Sequence, residues 1–289
     1  MTIKFKKFNR KELPFNDEML SFWDDNGYLV IEQFYSFKEC DDIRNRAKEL
    51  VHNFNPYSIQ SIFDTTSQDH AEDKYFLESG DKIHFFFEKN SFNKNGKLKN
   101  PKELSINKIG HALHDLDPKF YNFSHSEDLN NIAKSIGFTY PKLLQSMYIF
   151  KQPRIGGEVV CHQDSTFLYT EPESTVGFWI ALEDATVENG CLWVASGGHK
   201  GPLRKLFARK NGKMKMITLN NKSFEKTNIP VEVKKGTLVL LHGRLPHHSC
   251  ENKSDLSRQA YSFHIIEGKA IYSKENWLQR PSLPLKGFI

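Results

Sequence analysis

The sequence lacks several features that would place it in a ready-made class. No apolar run approaches the roughly 18 residues a membrane-spanning helix needs. Cysteine is scarce: Cys40, Cys161, Cys191 and Cys250 are scattered and form no Cys-x-x-Cys pair. That spacing does not suit a disulfide framework, and a reducing compartment is expected. Met1 to Asn9 alternates lysine with phenylalanine and has no apolar signal-peptide segment. Gly287-Phe288-Ile289 is not a peroxisomal address of the Ser-Lys-Leu type, so a cytoplasmic location is expected. There is no internal repeat and no Pro/Ser-rich linker. A single domain over 1–289 is therefore expected, helix-rich to about residue 140 and β-rich after it.

Apolar residues, by contrast, are ample. They make up 38% of the 289 positions and include 23 Phe, enough for a sizeable core. The net charge is +5, with much of the excess in Lys89 to Lys102 and Arg204 to Lys215. Both stretches also hold Asn and Gly and read as loops. Such charge serves either as solvated surface or as an attractor for an anionic, phosphorylated or CoA-linked substrate. Aromatics do not interleave with these lysines, so no nucleic-acid partner is expected.

Apolar spacing predicts a short helix from Asn16 to Asn26, stopped by Gly27, and a strand from Tyr28 to Ile31. Ser36 and Glu39 have capping-box spacing for a helix to about Val51, with Cys40, Ile43, Ala47 and Leu50 on its buried stripe. Asn53 to Asp81 is polar and irregular. Lys82 to Glu88, with three consecutive phenylalanines, suits a strand buried on both faces. Ser126 can cap a helix to Ile136. From Leu144 the texture turns to β, with strands expected at Ser146–Lys151, Thr175–Leu182, Gly190–Ser196, Val231–Val233, Thr237–Leu241 and Gln259–Ile266. Many short strands between turn signals point to a sandwich or barrel.

Within that β half stands His162-Gln163-Asp164. Residues two apart on an extended segment point to the same side, so His162 and Asp164 can reach one ion. A third ligand must come from elsewhere, and His242, His247 and His248 are all candidates. Two imidazoles and one carboxylate make up the facial triad that holds non-haem Fe(II) with coordination positions open. Zinc also uses such sets in hydrolases. Arg258 favours iron with 2-oxoglutarate, because a guanidinium matches a distal carboxylate bidentately. A cosubstrate-binding sensor on the same fold and a zinc hydrolase of cupin-like architecture are the competing functions.

Longer stretches carry a resemblance. They are Ser79-Gly80-Asp81-Lys82-Ile83, Phe85 to Lys89, Ser105 to His114, Gln145 to Pro153, Glu188 to Trp193, His242-Gly243, Arg258 to Tyr261 and Glu275 to Leu278. In these the chain resembles the phytanoyl-CoA dioxygenase family, from about Leu20 to Pro284. The resemblance implies a mainly β fold with flanking helices, the double-stranded β-helix (jelly roll) of Fe(II)/2-oxoglutarate dioxygenases. It implies iron ligands at His162, Asp164 and His247. It implies 2-oxoglutarate contacts at Lys108, Met147, Trp179, Ser249 and Arg258, with Gln163 nearby. Tyr148 and Tyr169 are expected either to line the pocket or to pack. The implied reaction uses Fe(II), 2-oxoglutarate and O2, with ascorbate as a reductant. It hydroxylates a small or lipid-like substrate, anionic or acyl-CoA-like, and releases succinate and CO2.

Overall fold

Helix boundaries follow local chemistry in the computed structural model, which describes residues 5–65 and 72–289. Residues 1–4 of the lysine–phenylalanine stretch and 66–71 of the polar stretch lie outside the described residues. The elements begin with β1 (Phe8–Asn9), α1 (Asp17–Asn26), β2 (Tyr28–Glu32), α2 (Phe37–Asn53), α3 (Lys74–Leu77) and β3 (Ile83–Phe87). Next come α4 (Lys102–Ser105), β4 (Ile106–His111), α5 (Leu113–Leu116), α6 (Pro118–Ser124), α7 (Glu127–Ser135) and β5 (Pro141–Ile149). The β-rich half continues through β6 (Val159–His162), β7 (Thr170–Glu171), β8 (Val176–Ala181), β9 (Leu192–Val194), β10 (Lys205–Lys210) and β11 (Lys213–Thr218). It ends with β12 (Ile229–Val231), β13 (Leu238–His242), β14 (His247–Ser249), β15 (Ala260–Glu267) and β16 (Ile271–Tyr272).

The Asn16 side chain accepts from the Met19 N–H and starts α1; Gly27, at φ 73°, ends it. A Cβ there would stand 2.3 Å from His199 Nδ1, so both backbone and packing demand glycine. Ser36 and Glu39 form the expected capping box of α2. Ser126 caps α7 by accepting from the Leu129 N–H.

The main sheet has eight strands in the order β1-β2-β13-β8-β15-β5-β4-β3. Its alternation sorts side chains into two faces. Phe178, Ile180, Leu238, Leu240, Tyr261 and Phe263 pack outward against Trp23, Ile43, Ala47, Phe120 and Leu129 of the helices. Val239, Trp179 and Ala260 pack inward against Leu192, Val194 and Val231, which belong to a four-stranded sheet ordered β12-β9-β14-β6. Two sheets face to face with helices on one outer side make the expected double-stranded β-helix.

Some elements depart from the sequence reading. Arg204 to Lys215 is not a loop: β10 and β11 form a hairpin that turns at Asn211-Gly212, both at positive φ. Its Lys-rich exposed positions alternate with buried Phe207 and Met214, and the charge hid that alternation. β5 begins at Pro141, earlier than expected, and β12 lies two residues upstream of its expected place. Strand β4 and helix α6 had no clear periodicity. The C-terminal segment straps the end of β5: Arg280 donates to Asp115 and to Leu144 O, and Leu143 N donates to Lys286 O at 2.9 Å.

Candidate metal centre and cosubstrate pocket

The small sheet brings two histidines together. β14 pairs with β6 so that His247 lies opposite His162, with ring centroids 4.3 Å apart. Asp164 opens a short 3-10 turn directly after β6. The Nδ1 atoms of His162 and His247 lie 2.9 Å from the carbonyls of Val160 and Leu245. A ring that donates through Nδ1 keeps a free lone pair on Nε2. Those Nε2 atoms stand 3.4 and 3.7 Å from Asp164 Oδ1, and the three ligand atoms lie within 4.8 Å of one another. Two imidazole nitrogens and a carboxylate oxygen so gathered suit a divalent transition metal.

Electrostatics agree with the geometry. Burial alone raises the Asp164 pKa, but the imidazoles of His264, His247 and His162 outweigh it and hold the carboxyl well below its ordinary value. Burial, with His162 beside it, pushes His247 down to about 4, which leaves it neutral and able to ligate. The other two candidate histidines are placed elsewhere. His248 stacks on Trp193 at 6.0 Å, and His242 packs toward Trp23 and His199.

Arg258, just before β15, is wholly enclosed. Its Nε donates to Gly190 O at 3.0 Å and one terminal nitrogen to Ser249 Oγ at 3.3 Å. Trp179 lies beneath it, 5.4 Å from ring centroid to guanidinium carbon. The other terminal nitrogen has no partner, and no carboxylate forms an ion pair with it among the described residues. Burial lowers its pKa to about 10. A buried, half-satisfied guanidinium is costly unless an anion joins it.

Lys108 and Met147 fall on the same inner face. Lys108 Nζ stands 3.8 Å from Met147 Sδ and 3.3 Å from the Phe63 ring centroid, and burial pulls its pKa well below the ordinary value. Trp179, Ser262 and Met147 sit opposite one another on β8, β15 and β5. Gln163 and the two tyrosines lie off that face, the tyrosines taking the packing alternative of the two expected for them. Gln163 is engaged with main chain, donating to Pro202 O and Arg244 O and accepting from Arg204 N–H. As the middle residue of an extended triplet it points away from its neighbours. Tyr148 is on the helix side, with its hydroxyl on Gln259; Tyr169 bonds Glu171.

Four residues that the sequence reading did not single out line this site. Gly177 lets the carboxylate approach the sheet: a Cβ there would meet Asp164 Oδ2 at 3.1 Å. His264 Nε2 lies 3.1 Å from the same oxygen, and Gln145 Nε2 lies 3.2 Å from His264 Nδ1. The Ser262 hydroxyl is buried between Trp179 and Met147 and has no hydrogen-bond partner among the described residues. Their signal was present: Ser262 and His264 are polar residues at alternate positions of an otherwise apolar strand.

Comparison with known proteins agrees with this architecture. A sequence model of the phytanoyl-CoA dioxygenase (PhyH) family matches residues 23–260. The chain is 48% identical over 268 residues to phytanoyl-CoA dioxygenase of Arabidopsis thaliana, covering 92% of this chain and 94% of that one. It is 46% identical over 277 residues to phytanoyl-CoA dioxygenase domain-containing protein 1 of Bos taurus, covering 92% and 95%. Among solved structures, EctD from S. alaskensis with bound Fe superposes with TM-score 0.62 at 16% identity, covering 94% of this chain and 85% of that one. The epimerase SnoN, in complex with Fe3+, alpha ketoglutarate and nogalamycin RO, gives TM-score 0.62 at 13% identity, covering 94% and 92%. At such identities these two speak for the fold.

Fold and relatives define the class: this is a 2-oxoglutarate-dependent non-haem iron oxygenase. Within that class the chain belongs to the phytanoyl-CoA dioxygenase family.

Proposed function

We propose that the protein hydroxylates a small or lipid-like substrate with Fe(II), 2-oxoglutarate and O2, releasing succinate and CO2, with ascorbate sustaining the reduced metal. His162, Asp164 and His247 would hold the iron. Bound iron supplies the redox chemistry, coupling oxidative decarboxylation of 2-oxoglutarate to oxygen insertion into the substrate. Arg258 receives the distal carboxylate of 2-oxoglutarate, with Ser249 and Trp179 fixing the plane of the guanidinium. Lys108 and Met147 form the far wall of the cosubstrate pocket. Gln163 serves as a clamp on the loops around the ligands.

The observation that carries this reading is the unpaired guanidinium of Arg258 on the same inner face as three converging ligands. A zinc hydrolase has no need of that buried cation. The basic hairpin β10–β11 suits an anionic or acyl-CoA-like substrate. Purified protein incubated with Fe(II), ascorbate and 2-oxoglutarate should form succinate slowly alone and faster with the correct substrate. Binding of 2-oxoglutarate without any turnover would replace the enzyme by a sensor. Absence of 2-oxoglutarate binding would favour the hydrolase.

A further inference from the structure

We infer that His264 is a positioning residue for Asp164, held in its working tautomer by Gln145. The inference deepens the proposed metal centre and rests on it.

Asp164 has two oxygens with different surroundings. Oδ1 faces the Nε2 atoms of His162 and His247. Oδ2 turns toward the main sheet, where it is buried and, among the described residues, otherwise without a hydrogen-bond partner. A carboxylate oxygen left so would rotate freely between ligating modes or draw a second bond to the ion. His264 Nε2 stands 3.1 Å away, within hydrogen-bond reach, though the N–H is not yet well aligned. Such bonds commonly tighten when a site is loaded.

The tautomer is set from behind. Gln145 lies opposite His264 on β5, and its Nε2 lies 3.2 Å from His264 Nδ1. With the Gln145 amide nitrogen turned toward Nδ1, that nitrogen donates, Nδ1 accepts and the ring proton sits on Nε2, facing Asp164. Space for this arrangement is reserved by Gly177, where a Cβ would stand 3.1 Å from Oδ2 and 3.3 Å from His264 Nε2. Three strands of the main sheet thus meet on one oxygen: β8 makes room, β15 donates and β5 orients the donor. The arrangement leaves Oδ1 as the single oxygen presented to the ion and keeps it aligned with the two imidazoles. Partners of this kind on ligating groups typically control metal affinity by about 10–100-fold.

The test is anaerobic titration of the metal-free full-length chain with Fe(II), and with Co(II), whose visible spectrum reports coordination geometry. His264→Leu removes the donor and should weaken both metals by about 10-fold or more, with a changed Co(II) spectrum. His264→Gln returns an amide N–H to the place of Nε2 and should restore affinity to within a few-fold, with the wild-type spectrum. Gln145→Leu frees the ring tautomer and should fall between the two. Should His264→Leu not fold, Gln145→Leu decides: weakened binding of both metals with a changed Co(II) spectrum is expected, and wild-type affinity and spectrum would overturn the inference. The inference is overturned if His264→Leu binds as wild type, or if folded His264→Gln loses as much as His264→Leu. Failure of the wild-type chain itself to bind either metal would instead overturn the metal centre, and the inference with it.

Discussion

The two faces of the main sheet are built from the same strands and do opposite work. On β8 and β15 the outward residues are Phe178, Ile180, Tyr261 and Phe263; the inward ones include Gly177, Trp179, Ser262 and His264. The outer face is filled by apolar side chains, with Phe178 and Phe263 stacked at 4.9 Å. The inner face holds buried groups with unspent hydrogen-bonding capacity: the Arg258 guanidinium, the Ser262 hydroxyl and an oxygen of Asp164. One face lowers the free energy of folding. The other gives some of that up by burying polar groups whose hydrogen bonds are incomplete. A sheet with period-two alternation lets both coexist without sharing a residue.

That contrast can be broken by substitution. Phe263→Ala should cost about 3–5 kcal/mol of stability, as large aromatic truncations do, while the chain that remains folded keeps its metal affinity. Calorimetry with a parallel Fe(II) titration separates the two; loss of affinity at full stability would place Phe263 in the site. Arg258→Ala should weaken 2-oxoglutarate binding by about 2–5 kcal/mol yet leave the ligand-free protein at least as stable. An unchanged cosubstrate affinity would remove the clamp. Lys108→Met should raise the melting temperature of the ligand-free protein by about 2–4 °C, equal to about 1 kcal/mol, because it deletes a buried amine that among the described residues meets only sulfur and rings. A fall in melting temperature, measured without cosubstrate, would show that Lys108 serves the core. Ser36→Ala, at the exposed start of α2, should cost about 0.5–2 kcal/mol through the lost cap with no change in metal or cosubstrate binding.

Much of the outer face was legible in the sequence. Caps at Ser36 and Ser126, the stop at Gly27 and the apolar stripe of α2 are local signals, read within a few residues. The phenylalanines of β3 announced a buried strand for the same reason. The inner face was harder. His162 and Asp164 are close in sequence, but His247 joins them only through the pairing of β14 with β6, which no local pattern specifies. Residue types left the third ligand open among three histidines; the family resemblance, not periodicity, pointed to His247. The bond network of Gln163 and the approach of His264 to Asp164 depend on strands far apart in the chain, and so escaped notice. The hairpin β10–β11 was misread because exposed lysines on alternate positions look like a charged loop until the buried Phe207 and Met214 are seen between them.

The most direct measurement is anaerobic equilibrium dialysis of Fe(II) against the wild-type chain and against Asp164→Ala, with folding of each checked by circular dichroism. One tightly held iron per wild-type chain, and none in the folded variant, is the expected result. Equal iron retention by both would contradict a centre built on His162, Asp164 and His247.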